Sequence, residues 1–240
     1  MYSESDYIPY EPVSRMGPGR VMVFAPHPDD EVFGCGGALI QHVQDQDPIR
    51  VVVVSNGALG GNLEDLAEIR SRESEAAARL LGYPPPVFLG HPDRGLVNNE
   101  VLVDRFRSLI EAFAADIVYA PSFWEIHPDH RVVSRAVFRA LKSVGRPIDL
   151  IMYEVGVPLR RPNRLLDITP HQGLKWRAMG CFESQLKVQD YRRHIEALNS
   201  FRSYTLGREF RMAEAFRCFK GQVCVTNGRV HGETRSMLYQ

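Results

Sequence analysis

Residues 21–37 read VMVFAPHPDDEVFGCGG. Val21 to Ala25 form a short apolar run of the kind that makes a buried strand, and a tight turn and a glycine-bearing segment follow it. In many α/β proteins such a strand-to-helix turn offers bare N–H groups to a phosphate. Here the turn carries His27, Asp29, Asp30 and Glu31, and three carboxylates would repel an anion. Working outward, strand-like runs recur at 49–55, 86–90, 116–121 and 148–155, with helical patterns at 35–46, 64–82, 100–114 and 130–144 between them. β-branched runs alternating with amphipathic helices make βαβ units. The expected fold is therefore α/β, a Rossmann-like, mostly parallel sheet flanked by helices, with a metal site at the carboxyl ends of the strands.

After about residue 155 the alternation lapses. PLRRPNRLLDITP reads as loop or short β, and helical segments near 171–183 and 188–204 read as a flank on the sheet rather than a second domain. The expected organisation is an N-terminal extension at 1–19, one domain at 20–220 and a C-terminal tail at 221–240 to which no element is assigned. A chain of 240 residues buries a core without staples. Lys+Arg and Asp+Glu both number 29, which argues against broad electrostatic binding to nucleic acid. The polar start MYSESDYIPYEPV has no leader pattern, and no apolar run approaches the ~20 residues of a spanning helix, so no integral membrane segment is expected. The four cysteines have no paired spacing, and the expectation is reduced thiols in a cytoplasm.

The tripeptide His-Pro-Asp occurs at 27–29, 91–93 and 127–129, each time after a predicted strand. Loops after the carboxyl ends of parallel strands share one rim, so the three can converge there. His27 and Asp30 are three apart across a turn entering a helix, and His127 and His130 in EIHPDHR repeat that spacing. Two histidines and a carboxylate complete a catalytic zinc set and leave a coordination position for water. Asp29 would then stand beside the ion as general base, and the spare histidine would protonate a leaving group or steady an oxyanion. Asp129 is placed to orient His127. Acidic residues at a helix start are also favoured by capping and the helix dipole, and Glu31 alone fits that structural account better. A phosphoesterase-like metal hydrolase would want more bridging carboxylates, and a non-catalytic sugar- or nucleotide-binding module would need neither base nor acid.

PHPDDE with GCGG, and HPDH about a hundred residues later, resemble the LmbE-like, or PIG-L, family of zinc-dependent N-acetylglucosamine de-N-acetylases. SNGALGG, IRSRESEAAARLLG, FLGHPDRGL, LDITPHQGLKWRAMGCFESQ and AEAF extend the resemblance over roughly residues 20–218, with Phe182 standing where many relatives have His or Tyr. The resemblance implies removal of an acetyl group from an N-acetylglucosamine unit of a small-molecule or glycolipid substrate, giving acetate and a free amine. It implies Zn2+, with Fe2+ as an alternative, held by His27, Asp30 and His130. Asp29 would be the base, and His127, held by Asp129, would stabilise the tetrahedral intermediate or act as acid. Arg70 and Asp93 would contact the substrate. Related enzymes often form homo-oligomers.

Overall fold

The computed structural model describes residues 8 and 10–221. Its centre is an eight-stranded sheet in the order β1-β7-β8-β6-β5-β2-β3-β4. The strands are β1 (Glu11–Val13), β2 (Val21–Ala25), β3 (Ile49–Ser55), β4 (Val87–His91), β5 (Ile117–Pro121), β6 (Asp149–Tyr153), β7 (Arg164–Asp167) and β8 (Ala213–Phe219). All pairings are parallel except those of β8 with β6 and β7. β2, the strand of the decisive stretch, is wholly buried between β3 and β5. Its alternation serves two cores. Val21, Val23 and Ala25 join one hydrophobic cluster, and Met22 and Phe24 the other, on the opposite face.

The helices α1 (Asp30–Gln44), α2 (Leu66–Leu81), α3 (Glu100–Phe113), α4 (Pro128–Ser143), α5 (Gln172–Met179), α6 (Glu183–Leu186) and α7 (Tyr191–Arg202) cover the sheet. α3 and α4 supply one core; α1, α2, α5 and α7 pack on the other face. The chain runs from β2 outward to β4, then returns to place β5 on the other side of β2. That reversal leaves a crevice beyond the carboxyl ends of β2 and β5, the position at which open α/β sheets bind ligands.

Two strands, β1 and β8, escaped the sequence reading, and the four-residue β7 falls in the stretch read as loop or short β. β1 has only three residues, and β8 joins the sheet antiparallel, outside the βαβ alternation, so neither length nor a parallel crossover marked them. β1 lies inside the stretch expected as an extension and pairs with β7 at the sheet edge. The expected 221–240 tail lies outside the described residues save for Gly221. Among the described residues no helix is long and apolar enough to cross a membrane.

α1 starts at Asp30, five residues before the position the periodicity suggests, because it is broken: Cys35 has non-helical φ −143° and ψ 27°. The break lets the second half of α1 present the N–H groups of Gly37 and Ala38, which donate to Glu214 Oε1 and Oε2 at 2.7 and 2.9 Å. Lys175 Nζ neutralises that buried carboxylate at 2.7 Å. The glycines are required by close approach. A Cβ on Gly34 would stand 2.2 Å from the Tyr153 ring, and one on Gly37 would stand 2.3 Å from Ile168 Cγ2.

Candidate active site

The turn between β2 and α1 is strained. Asp29 has φ +143°, a region costly for any side chain-bearing residue, by about 1–3 kcal/mol. Its carbonyl accepts from Val32 and Phe33 N–H and so starts α1. Its own N–H donates to Glu31 Oε2 at 3.0 Å, and Glu31 Oε1 accepts from Ser74 Oγ of α2 at 2.5 Å. Glu31 is thus the brace that pins the turn to α2, in keeping with the structural account of that residue. Burial pushes its carboxyl up to about 7.

Around this turn His27 Nδ1, Asp30 Oδ2 and His130 Nε2 form a triangle. The sides are 3.2 Å (His27–Asp30), 3.2 Å (His130–Asp30) and 3.3 Å (His27–His130). A tetrahedral ion with bonds of about 2.0–2.1 Å needs donors about 3.3 Å apart, so these three fit one divalent cation. The nitrogens facing away from the triangle point at carboxylates. His27 Nε2 is 3.3 Å from Asp93 Oδ1 and 3.4 Å from Asp129 Oδ2, and His130 Nδ1 is 3.6 Å from Glu125 Oε2. Carboxylates behind ligating imidazoles orient the rings and raise their basicity. Burial pulls His130 down, but Asp30 and Glu125 outweigh it and hold the imidazolium to about 9; His27 is likewise raised, by Asp129, Asp30 and Asp93 against its burial. Burial would raise Asp30, but the two histidines hold it well below the usual carboxylate range.

All eight residues singled out in the sequence surround this point, though three have different contacts from those expected. The Asp129 carboxylate faces His27 and accepts from Arg94 N–H at 2.7 Å; it is the backbone N–H of Asp129 that holds His127, donating to Nδ1 at 3.2 Å. The reason is local. His127 is the N-cap of α4, with Pro128 next, and an N-cap side chain accepts from the N–H two residues on. An accepting Nδ1 leaves the ring proton on Nε2. Burial and the neighbouring His27 and His130 lower the pKa of His127, which favours that neutral donor.

Arg70 lines the cavity but is 3 % exposed, and its guanidinium is committed to Asp29 Oδ2 at 2.9 Å, Pro28 O at 3.0 Å and Gly57 O at 2.9 Å. Its helix neighbour Glu73 is engaged elsewhere, accepting from Ser184 N–H and Oγ at 2.7 Å. Asp93 also lines the cavity, with Oδ2 accepting from Leu59 N–H at 3.0 Å. Burial raises Asp93, yet His27 and the Leu59 N–H bring it down to about 2. Of the repeated tripeptides, the second brings Asp93 to the cluster while its His91 closes β4 and is not among the residues around the cavity.

Asp29 stands beside the triangle. Burial pushes its carboxyl up, Arg70 opposes, Asp30 raises it further and the two histidines lower it, for a net value of about 7. Sequence reasoning missed Glu125, which is 2 % exposed and accepts from the N–H groups of Val155 and Gly156 at 2.8 and 3.0 Å. Its signal was proximity, two residues before His127 in the same loop. The groups open onto a cavity of about 530 Å³, edged by Leu59, Ile126, Gln185 and Tyr191.

The family model PIG-L, described as GlcNAc-PI de-N-acetylase, matches residues 22–141, the span that carries both histidine clusters. The chain belongs to the PIG-L family. A probable N-acetyl-α-D-glucosaminyl L-malate deacetylase 2 of Bacillus cereus is 24 % identical over 201 residues, covering 75 % of this chain and 90 % of the relative. The solved N,N′-diacetylchitobiose deacetylase of Pyrococcus horikoshii superposes with TM-score 0.74 at 26 % identity, covering 84 % of each chain. GalB of Pseudomonas putida, a 4-carboxy-2-hydroxymuconate hydratase, superposes with TM-score 0.70 at 20 % identity over 83 % of this chain and 95 % of its own. That last likeness is one of fold alone, and it means that the scaffold by itself does not choose between amide hydrolysis and hydration.

Proposed function

We propose that this PIG-L-family chain hydrolyses the N-acetyl group of an N-acetylglucosamine-type sugar, with zinc held by His27, Asp30 and His130. The observation that carries the reading is the 3.2–3.3 Å donor triangle with the buried Asp29 carboxylate, held by Arg70, beside it. Two imidazoles and one carboxylate suit zinc. A cation held by these three residues would supply Lewis acidity to an amide carbonyl and to a water molecule.

The chain supplies the rest. Arg70 holds Asp29 Oδ2 and fixes the carboxylate, leaving Oδ1 to take a proton from the attacking water. Asp29 then delivers that proton to the departing nitrogen. His127, its Nδ1 occupied, donates through Nε2–H to the oxygen that gains charge, which makes it an oxyanion donor rather than the acid. The products are acetate and a free amine.

The test is acetate release from a panel of N-acetylglucosamine compounds with and without a strong chelator, alongside metal analysis. Chelator-sensitive release by a zinc-loaded protein is the expected result, and Asp30→Ala or His130→Ala should lose metal. Full metal content in both variants overturns the coordination set. A zinc-loaded protein that releases no acetate from any member overturns the reaction.

A further inference from the structure

Two guanidinium groups line the cavity, those of Arg70 and Arg94. Arg70 is committed to Asp29 and two carbonyls, so it has little left for a substrate. Arg94 is different. Its backbone is anchored, the N–H donating to Asp129 Oδ2 at 2.7 Å, which sets it one carboxylate away from His27. Its side chain is exposed at the rim and has no hydrogen-bond or ion-pair partner among the described residues.

The backbone at Arg94 is left-handed, φ +58°. Such a conformation costs an L-residue about 1–2 kcal/mol and costs glycine almost nothing. Gly95 is adjacent, yet arginine occupies the strained position. Glycine there would relieve the strain, so the turn by itself does not call for arginine. The carboxylates of the surrounding wall, Asp29, Asp30, Asp93 and Glu125, each face Arg70 or a histidine, which leaves Arg94 as the lining cation still open to an anion.

We propose that Arg94 forms an anion subsite at the cavity rim, so that the preferred substrate is an N-acetylglucosaminide whose aglycone carries a carboxylate or a phosphate. This rests on the deacetylase reading and adds the substrate class. Guanidinium pairs in planar, forked fashion with either group.

The experiment compares three N-acetylglucosamine compounds on the zinc-loaded protein: the neutral methyl glycoside, the carboxymethyl glycoside and the 1-phosphate. At least one anionic compound should be favoured over the neutral one by roughly tenfold in kcat/KM, expressed in KM and shrinking as salt is raised. Which anion is favoured distinguishes carboxylate from phosphate. Arg94→Gln should bring the anionic-to-neutral ratio near one, and Arg94→Lys should restore part of it. Arg94→Gly serves as the folding control and should not lower the melting temperature, because glycine suits that φ. Equal use of all three compounds, or an equal loss on all three in Arg94→Gln, overturns the subsite while leaving the deacetylase reading standing. No acetate from any compound defeats the deacetylase reading instead. Calorimetry with the same three ligands then decides the subsite, and equal affinity for charged and neutral ligands, or no binding, overturns it.

Discussion

Lys175→Met removes an ammonium that sits 3 % exposed against Glu214, itself 1 % exposed. All three protons of Nζ are used, on Glu214 Oε1 at 2.7 Å, Phe33 O at 3.0 Å and Asn199 Oδ1 at 3.0 Å. Methionine fills much the same volume, so little of the cost comes from a cavity. The cost comes from the carboxylate left behind. Removing one partner of a buried pair typically costs about 3–5 kcal/mol. Glu214 keeps the N–H groups of Gly37 and Ala38 as donors, which places the expected loss at the lower end, about 3 kcal/mol. For a chain of this size that corresponds to a melting temperature lower by about 6–12 °C. The assay is thermal and urea unfolding of wild type, Lys175→Met, Glu214→Gln and the double variant, all with metal removed to avoid linkage to binding. The double-variant cycle should show the same substitution costing clearly less once the charge on residue 214 is gone. A loss below about 1 kcal/mol, or a cost independent of Glu214, would show that the pair is not what holds the two halves of α1 against α5 and β8.

Asp29→Asn should lower acetate release by about 100- to 10,000-fold with metal content intact, as expected for a lost general base; loss of metal would instead make Asp29 a ligand. Metal binding should release protons and tighten as pH rises. His130 is held as an imidazolium to about 9 and must be neutral to ligate, so below that pH each bound ion displaces its proton. Calorimetry in buffers of different ionisation enthalpy measures the release, and a pH-independent affinity between pH 6 and about 9 would contradict it. In Arg70→Met the cation that opposes Asp29's raised pKa is gone, so the carboxyl stays protonated to higher pH. The acidic limb of the pH–rate profile should move up by roughly one to two pH units, with activity depressed near neutrality and partly recovered above it. An unmoved limb with a raised KM would make Arg70 a substrate contact after all.

Much of this protein is determined by local patterns that a linear reading can see. The five consecutive parallel strands β2 to β6 and the helices between them follow from apolar period and turn residues, because βαβ units write their burial into short stretches. The residues that gather at the candidate site were visible in pairs too, since His27 with Asp30 and His127 with His130 each lie within one turn of chain, where spacing alone brings side chains together. Tertiary structure decided everything that depends on strand order and on groups distant in sequence. Only the placement of β5 beside β2 closes His130 Nε2 to 3.3 Å from His27 Nδ1. The commitment of Arg70 to Asp29 joins residues 41 apart, and the capture of α1's N–H groups by Glu214 joins residues 176 and 177 apart. The short strands β1 and β7 are stabilised by neighbours rather than by their own pattern. The Asp129 carboxylate turned to His27 because the N-cap of α4 was already occupied by its backbone. These are choices among partners that Coulomb attraction and hydrogen bonding make in three dimensions, between groups whose separation along the chain carries no signal.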